Sequence, residues 1–339
     1  MILNLKTLFK KKFLFFIFRY RLRELALNNL ICVKKIGNFN LVNLSGPYLC
    51  WVGFLIYKLN FFKNFNFISC DGWPNLNKKN SLNIWFGGTV LKIPSEFSNQ
   101  KNNCVTASNI FTKSQKFIQF YPLKIPEIKE PKEKKIIIAM TLRNVDDDIS
   151  LNIWNNKKEL ILKNLSIIEN PKFWDMEEIK NLDTNMKHRV YMNLKSLLRI
   201  ELIRIIKENF SERCVLIGDD LKKLYPDSLN SKFEKNFLKN YYQGNICIDF
   251  LAKDGEQILY PRSIEIIESG GIIAQIRTNE SSKIYENFVN EISFNNKNEM
   301  INILKKLLIS SNLSNINKFF QNKYNEKDLN IMSLQKFFE

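Results

Sequence analysis

One histidine, His188, stands among 339 residues. That scarcity excludes a metal centre built on several imidazoles. Cysteine is present but unpatterned. Cys32, Cys50, Cys70, Cys104, Cys214 and Cys247 are scattered with no CxxC spacing, so they read as free thiols in a reducing compartment and not as a disulfide framework. No GxxxxGK[ST], GxGxxG, HExxH or GxSxG occurs. Those absences exclude P-loop phosphotransferases, simple dinucleotide enzymes, zincins and α/β-hydrolases. There is no internal repeat and no low-complexity tract. Long apolar runs are missing too. The most apolar N-terminal piece, Phe13 to Phe18, lies between Lys10-Lys11-Lys12 and Arg19, Arg21 and Arg23. A spanning helix needs about 20 mostly apolar residues. The short apolar core, with no small-residue cleavage site after it, also disfavours a signal peptide. The segment is expected to be the first helix of a domain, with a basic amphipathic surface helix as the alternative.

Acidic residues are in deficit. Lys and Arg number 51 against 34 Asp and Glu, a net charge of +17. Such a surface attracts phosphate, whether on nucleic acid, anionic lipid or a nucleotide-linked substrate. The lean toward Lys, Asn, Ile and Phe is what an AT-rich coding sequence produces, so the charge is permissive evidence only. The basic residues are dispersed and form no recognisable nucleic-acid module. Nucleic acid is therefore a disfavoured partner.

The length suggests two domains, and a hydrophobic fraction of 45% is that of a globular protein. In the N-terminal half, strand-like runs lead into turn residues. Phe39 to Leu44 leads into Ser45-Gly46-Pro47, Phe65 to Ser69 into Asp71-Gly72-Trp73-Pro74, and Leu82 to Phe86 into Gly87-Gly88. Glycine-bearing breaks after strands are where α/β sheets place ligands. Tyr48 to Phe62 is expected to be a helix on that sheet. Trp73, Trp85 and Phe86 are expected in the core, with stacking on a sugar as the alternative. The prolines and charges of Pro122 to Lys135 read as an extended interdomain linker. The expected organisation is an N-terminal domain over 1–121, a linker over 122–135, a C-terminal domain over 136–314 and terminal helices over 315–339.

After the linker, Ile136 to Met140 reads as a buried parallel strand. Its following loop carries Arg143, a candidate for a diphosphate, and Asp146-Asp147-Asp148, a solvated loop or helix start. Lys187 to Asn209 has the apolar spacing of an amphipathic helix, with its charged residues on the other face. His188, near the front of that helix, is expected at the surface or between domains, with a catalytic base as the alternative. Cys214 to Ile217 is a strand ending in Gly218-Asp219-Asp220. Helices are expected over Ser231 to Tyr242 and Asn298 to Leu308. Alternating strands and helices of this kind indicate a doubly wound parallel sheet.

The richest stretch is Asn245 to Glu280. Ile246-Cys247-Ile248 reads as a strand, Lys253 to Gln257 as a loop, and Pro261 as the first residue of a helix. Gly270-Gly271 ends the helix as a left-handed cap, and Ile272 to Ile276 is the next strand. The N–H groups at a helix N-terminus form an anion site. Arg262 adds a cation of bidentate geometry, and Glu265, one turn in, suits paired hydroxyls such as those of a ribose. An ordinary crossover carrying a surface Arg and Glu has the same pattern.

The run Tyr260-Pro261-Arg262-Ser263-Ile264-Glu265-Ile266-Ile267-Glu268-Ser269-Gly270-Gly271 resembles the donor-binding helix of CgeB-like glycosyltransferases, whose fold is GT-B with a glycosyltransferase group 1-like C-terminal domain. The resemblance covers the C-terminal third well and the rest of the C-terminal half loosely. It implies two Rossmann-like domains facing across a cleft and transfer of a sugar from a nucleotide diphosphate to an acceptor hydroxyl. No metal and no cofactor is implied. Arg262, the Ser263 to Glu265 backbone and Arg143 would stabilise the leaving diphosphate, Glu265 would hold ribose hydroxyls, and Tyr260 would pack on the nucleotide. Gln257, Gly270 and Gly271 complete the implied donor site. Retaining relatives of this fold carry Glu-x7-Glu ending at the position of Glu265. This chain has Gln257 at the first position, with Glu256 beside it. The expected partners are a nucleotide-sugar donor and a glycan or lipid-linked acceptor in surface glycan or glycolipid synthesis. The expected place is the cytoplasm, with the inner face of an anionic membrane as a further contact. Two alternatives stand beside this reading: a catalytically silent nucleotide-sugar-binding module, and a basic peripheral membrane or nucleic-acid binder.

Overall fold

A computed structural model describes residues 14–17, 31–36, 39–44, 55, 58, 65–70, 81–85, 103–105, 116–117, 122, 125–142, 144–230, 237–250, 259, 261–278, 281–310 and 313–324. The chain divides into two compact units. One comprises 1–108, 112–123 and 326–339; the other comprises 109–111 and 124–325. Both are built on predominantly parallel sheets, so the expected α/β class holds.

The first unit carries seven strands: β1 (Leu14–Ile17), β2 (Ile31–Ile36), β3 (Phe39–Leu44), β4 (Phe65–Cys70), β5 (Ser81–Trp85), β6 (Asn103–Val105) and β7 (Lys116–Phe117). Their order is β2-β3-β1-β4-β5-β6-β7. All pairings are parallel except β2 with β3. The β3, β4 and β5 runs match the strands expected from their β-branched and aromatic residues. The helix expected over Phe13 to Phe18 does not form. Leu14–Ile17 is instead a strand paired on both sides, with β3 and β4. The physical reason is length. A short apolar run closed at both ends by basic residues suits a strand paired on both sides better than a helix. The turns expected at Ser45, Asp71 and Gly87 lie outside the described residues.

The second unit holds β8 (Ile136–Ala139), α1 (Asp148–Lys163), α2 (Thr184–Phe210), β9 (Cys214–Ile217), α3 (Phe237–Tyr242), β10 (Ile246–Asp249), α4 (Pro261–Glu268), β11 (Ile272–Ile276), β12 (Ser293–Phe294), α5 (Lys297–Ile309) and α6 (Leu313–Tyr324). The five strands pair in parallel in the order β12-β11-β10-β8-β9. Every residue of β8, β10 and β11 is buried, so the sheet is covered on both faces. Helices α3 and α4 pack together against β8, β10 and β11, while α2 packs with α5 and β9.

Helix α2 departs from a simple amphipathic pattern. Lys195, Arg199 and Glu201, expected on its solvent face, are 5%, 6% and 8% exposed. For Lys195 and Glu201 the buried charge is tolerated because opposite charges lie within reach. Lys195 pairs with Glu169, which also accepts from the Tyr191 hydroxyl at 2.8 and 2.9 Å. Glu201 meets Lys158 at 2.9 Å and Arg204 at 2.6 Å. His188 lies half-buried at the front of this helix, its ring stacked on that of Tyr191 at 6.3 Å.

The proline-rich stretch before β8 is extended, but it is bound along the second unit. The Ile125 and Pro126 carbonyls accept from Gln321 at 3.2 Å and Asn317 at 3.0 Å, both on α6. Lys135 N–H donates to Asn245 Oδ1 at 2.8 Å. Gly244 has φ +70, and a Cβ there would lie 2.1 Å from the Lys129 carbonyl oxygen and 2.7 Å from Pro131. Gly270 has φ +75 but only looser neighbours, the nearest being Pro126 at 3.3 Å. Both need the left-handed region, and only Gly244 also needs the space. Gly270→Ala is accordingly expected to cost about 1 kcal/mol, and Gly244→Ala at least about 2 kcal/mol. Urea denaturation midpoints of the two variants compare them directly, and equal losses would contradict the close packing of the 129–131 segment.

Candidate functional site

The strand order sets a topological switch point in the second unit, where a ligand crevice is expected. After β8 the chain adds β9 on one side, then returns to add β10, β11 and β12 on the other. In open parallel sheets, ligands bind beyond the carboxyl ends of the strands where the order reverses. Here that point lies between β8 and β10, at Ala139 and Asp249.

Helix α4 begins at this point. Pro at its first position costs no hydrogen bond, since first-turn N–H groups have no partner within a helix. Arg262 is half-buried, and its Nη1 donates to the Ala139 carbonyl at the end of β8 and lies 3.4 Å from the Tyr242 hydroxyl. Among the described residues, no partner is seen for the remaining guanidinium donors. Burial alone would lower the Arg262 pKa, but Tyr242, Glu265 and Asp249 outweigh it and raise it above the usual guanidinium value. Burial pushes the Tyr242 hydroxyl well up, so it stays neutral beside Arg262. Glu265 is half-buried one turn further along the helix, near enough for its charge to act on both Arg262 and Tyr242.

Beneath this turn lies a buried polar cluster. The Ser263 hydroxyl donates to Asp249 Oδ2. Gln275 Nε2 donates to the same oxygen at 3.2 Å and approaches Ser263 Oγ at 3.3 Å. The Tyr285 hydroxyl donates to Gln275 Oε1. Asp249, Gln275, Tyr242 and Tyr285 are site-forming residues that the motif did not reveal. A signal existed for two of them. Asp249 interrupts the apolar run Ile246 to Phe250, and Gln275 interrupts Ile272 to Ile276. A polar residue inside a fully buried strand needs a partner.

Of the residues expected in the donor site, Arg262, Ser263 and Glu265 come together at the α4 N-terminus. Arg143, Gln257 and Tyr260 lie outside the described residues. Gly270 and Gly271 sit at the opposite end of α4, about 12 Å along its axis. There Gly270 N–H bonds to the Ile267 carbonyl and Gly271 N–H to the Ile266 carbonyl, the paired bonds of a Schellman cap. A Cβ on Gly271 would lie 2.9 Å from Cys247 Sγ and 3.0 Å from the Tyr242 carbonyl oxygen. At this end of α4 the two glycines cap and pack the helix.

The acidic triplet starts α1. Asp147 is its N-cap, accepting from Ser150 N–H at 3.0 Å and from the Ser150 hydroxyl. Burial pushes its carboxyl up, but the Ser150 bonds, Arg189 and Asn193 prevail and hold it below the usual range. Asp146 and Asp148 are exposed. No group of three metal-ligating side chains occurs among the described residues. No helix among them is long and apolar enough to cross a membrane. A separate open hollow of about 450 Å³, bounded by Asn209, Arg213, Lys305 and Ile309, shares no residue with the crevice.

Comparison with known proteins is structural only. No family profile matches the chain, and no curated protein does. An α,α-trehalose-phosphate synthase (UDP-forming) from Burkholderia vietnamiensis is 9% identical with a TM-score of 0.43, over 96% of this chain and 99% of that one. A structure described as trehalose-6-phosphate from E. coli bound with UDP-2-fluoro glucose is 10% identical with a TM-score of 0.40, over 96% and 99%. TarM is 10% identical with a TM-score of 0.45, over 84% of this chain and 57% of its own.

Two outcomes follow from the geometry. Arg262→Met removes the tie to Ala139 and should destabilise the unit by about 2 kcal/mol. Tyr242→Phe loses only a 3.4 Å contact and should cost under about 1 kcal/mol. Thermal unfolding separates them, and reversed magnitudes would refute the anchoring of Arg262 on β8. Asp147→Ala should cost about 1 kcal/mol at neutral pH. A carboxyl held low in the folded state stabilises above the unfolded pKa of about 3.9. That contribution is lost as pH falls through the lower, folded value. The difference between wild type and Asp147→Ala should therefore shrink below about pH 4, measured by denaturation across pH.

Proposed function

We propose that the chain is a glycosyltransferase of the GT-B kind, moving a sugar from a nucleotide diphosphate donor to an acceptor hydroxyl. One observation carries the reading. The α4 N-terminus opens on the switch-point crevice with Arg262 fixed through one nitrogen, leaving the rest of its guanidinium to a ligand. The resemblance of Tyr260 to Gly271 to the CgeB-like donor helix supports the same reading. Departure of a nucleoside diphosphate concentrates negative charge on the bridging oxygen. A helix N-terminus and an anchored guanidinium need no reorganisation to receive it.

In this mechanism Arg262 and the first-turn N–H groups of α4 bind the diphosphate, and Arg143 adds a second cation. Glu265 accepts hydrogen bonds from the ribose hydroxyls. Tyr260 covers the nucleotide, and Gln257 faces the sugar. Charge compensation by these groups makes a metal dispensable. The acceptor is a glycan or lipid-linked hydroxyl of a surface polysaccharide or glycolipid, reached in the cytoplasm at the inner face of an anionic membrane.

The test is calorimetry with a panel of UDP-, GDP- and CDP-sugars. One donor should bind, and Glu265→Ala should weaken it about tenfold, or about 1.4 kcal/mol. Activity with that donor should persist in EDTA. No binding across the panel, or binding indifferent to Glu265→Ala and Arg262→Ala, sinks the reading. Gln257 in place of an acidic residue favours one second reading, a binding module. Donor binding without turnover on any acceptor would establish it.

A further inference from the structure

The buried cluster under α4 has an internal direction. Asp249 is 4% exposed, and Ser263, Gln275 and Tyr285 are each fully buried. A side-chain amide has a donating and an accepting end. Because the Tyr285 hydroxyl donates to Oε1, Nε2 of Gln275 is turned toward Asp249 and Ser263. The reversed amide would set Oε1 against a carboxylate. Tyr285 is itself held in place, its ring edge-on to Phe320 of α6 at 6.1 Å and 87°. Its hydroxyl keeps its proton, since burial pushes its pKa well above the usual value.

Polar groups at such a depth cost more than apolar ones of the same size unless they are hydrogen-bonded, and what they add is direction. Apolar side chains would fill the space between α4 and the sheet equally well. They would not fix the rotation of an eight-residue helix about its own axis. The Ser263 bond to Asp249 ties the third residue of α4 to the end of β10, and Arg262 ties the second to the end of β8. The first turn is thus pinned to both strands that flank the crevice.

We propose that Tyr285, Gln275 and Asp249 form a positioning relay that fixes the first turn of α4 through Ser263 and so aims Arg262 and Glu265 into the crevice. The relay rests on the donor reading only for what the aimed residues bind. Its own existence is a property of the unliganded protein.

Two measurements keep those apart. Hydrogen–deuterium exchange of the unliganded full chain compares wild type with Tyr285→Phe, Asp249→Asn and Asp249→Ala. Tyr285→Phe should speed exchange about tenfold at residues 265–268, whose N–H groups bond back to the first turn, while β8 and β9 keep their protection. Asp249→Asn retains an oxygen acceptor for Ser263 and should protect the turn far better than Asp249→Ala. Unchanged exchange in α4, uniformly faster exchange across the unit, or an Asn variant as exposed as the Ala variant overturns the relay. The second measurement is donor affinity, using whichever nucleotide sugar wild type binds. Tyr285→Phe leaves Gln275 Oε1 without that partner, so it should lower the thermal midpoint and also raise Kd several-fold, whereas a purely structural role moves the midpoint and leaves Kd alone. If wild type binds no nucleotide sugar, the functional reading fails, and the exchange experiment still decides the relay.

Discussion

The second unit depends on one reversal. Strand addition runs from β8 to β9, and then the chain crosses back to lay β10 on the other side of β8. At that place two strand ends, Ala139 and Asp249, meet no further sheet. Each end has a group that needs a partner, a carbonyl in one case and a carboxylate in the other. The residues that open α4 supply both: Arg262 for the carbonyl and Ser263 for the carboxylate. Satisfying the sheet and fixing the first turn of α4 are therefore one structural act. Unpaired backbone and side-chain groups cost too much in a buried sheet to be left open.

Much of this was legible in the chain. The strands β8, β9, β10 and β11 follow from short apolar runs bounded by polar breaks. Pro261 and Gly270 mark the two ends of α4 through rules of backbone geometry alone. Two kinds of feature were not legible. The first is strand β1, which forms within the six-residue apolar run Phe13 to Phe18, a run that fits either a helix or a strand until β3 and β4 are present to pair with it. The second is side-chain direction. The spacing of Arg262 and Gly270 is the same whether a glycine touches a ligand or caps a helix. Only the fold shows that α4 points one of its ends at the crevice and the other at Pro126 and Tyr242.

Charged and polar residues inside the unit tell a related story. Lys195 with Glu169, and Asp249 with Ser263 and Gln275, are buried where a hydropathy pattern places a solvent face or an uninterrupted apolar strand. Each joins elements distant in sequence. Glu169 comes from the segment between α1 and α2, and Tyr285 from the short helix after β11. Periodicity reports which residues of one element share a face. It carries no record of what a different element will bring to that face.

The segment before β8 has a topological effect. Its Ile125 and Pro126 carbonyls are held by Gln321 and Asn317 near the end of α6. The backbone that enters the second unit and the backbone that leaves it are thereby fastened side by side. With its ends already adjacent, the unit has met the entropy of loop closure through its own hydrogen bonds. It is wired like an inserted cassette, whose ends a short new peptide would join while the chain is opened at a surface loop elsewhere.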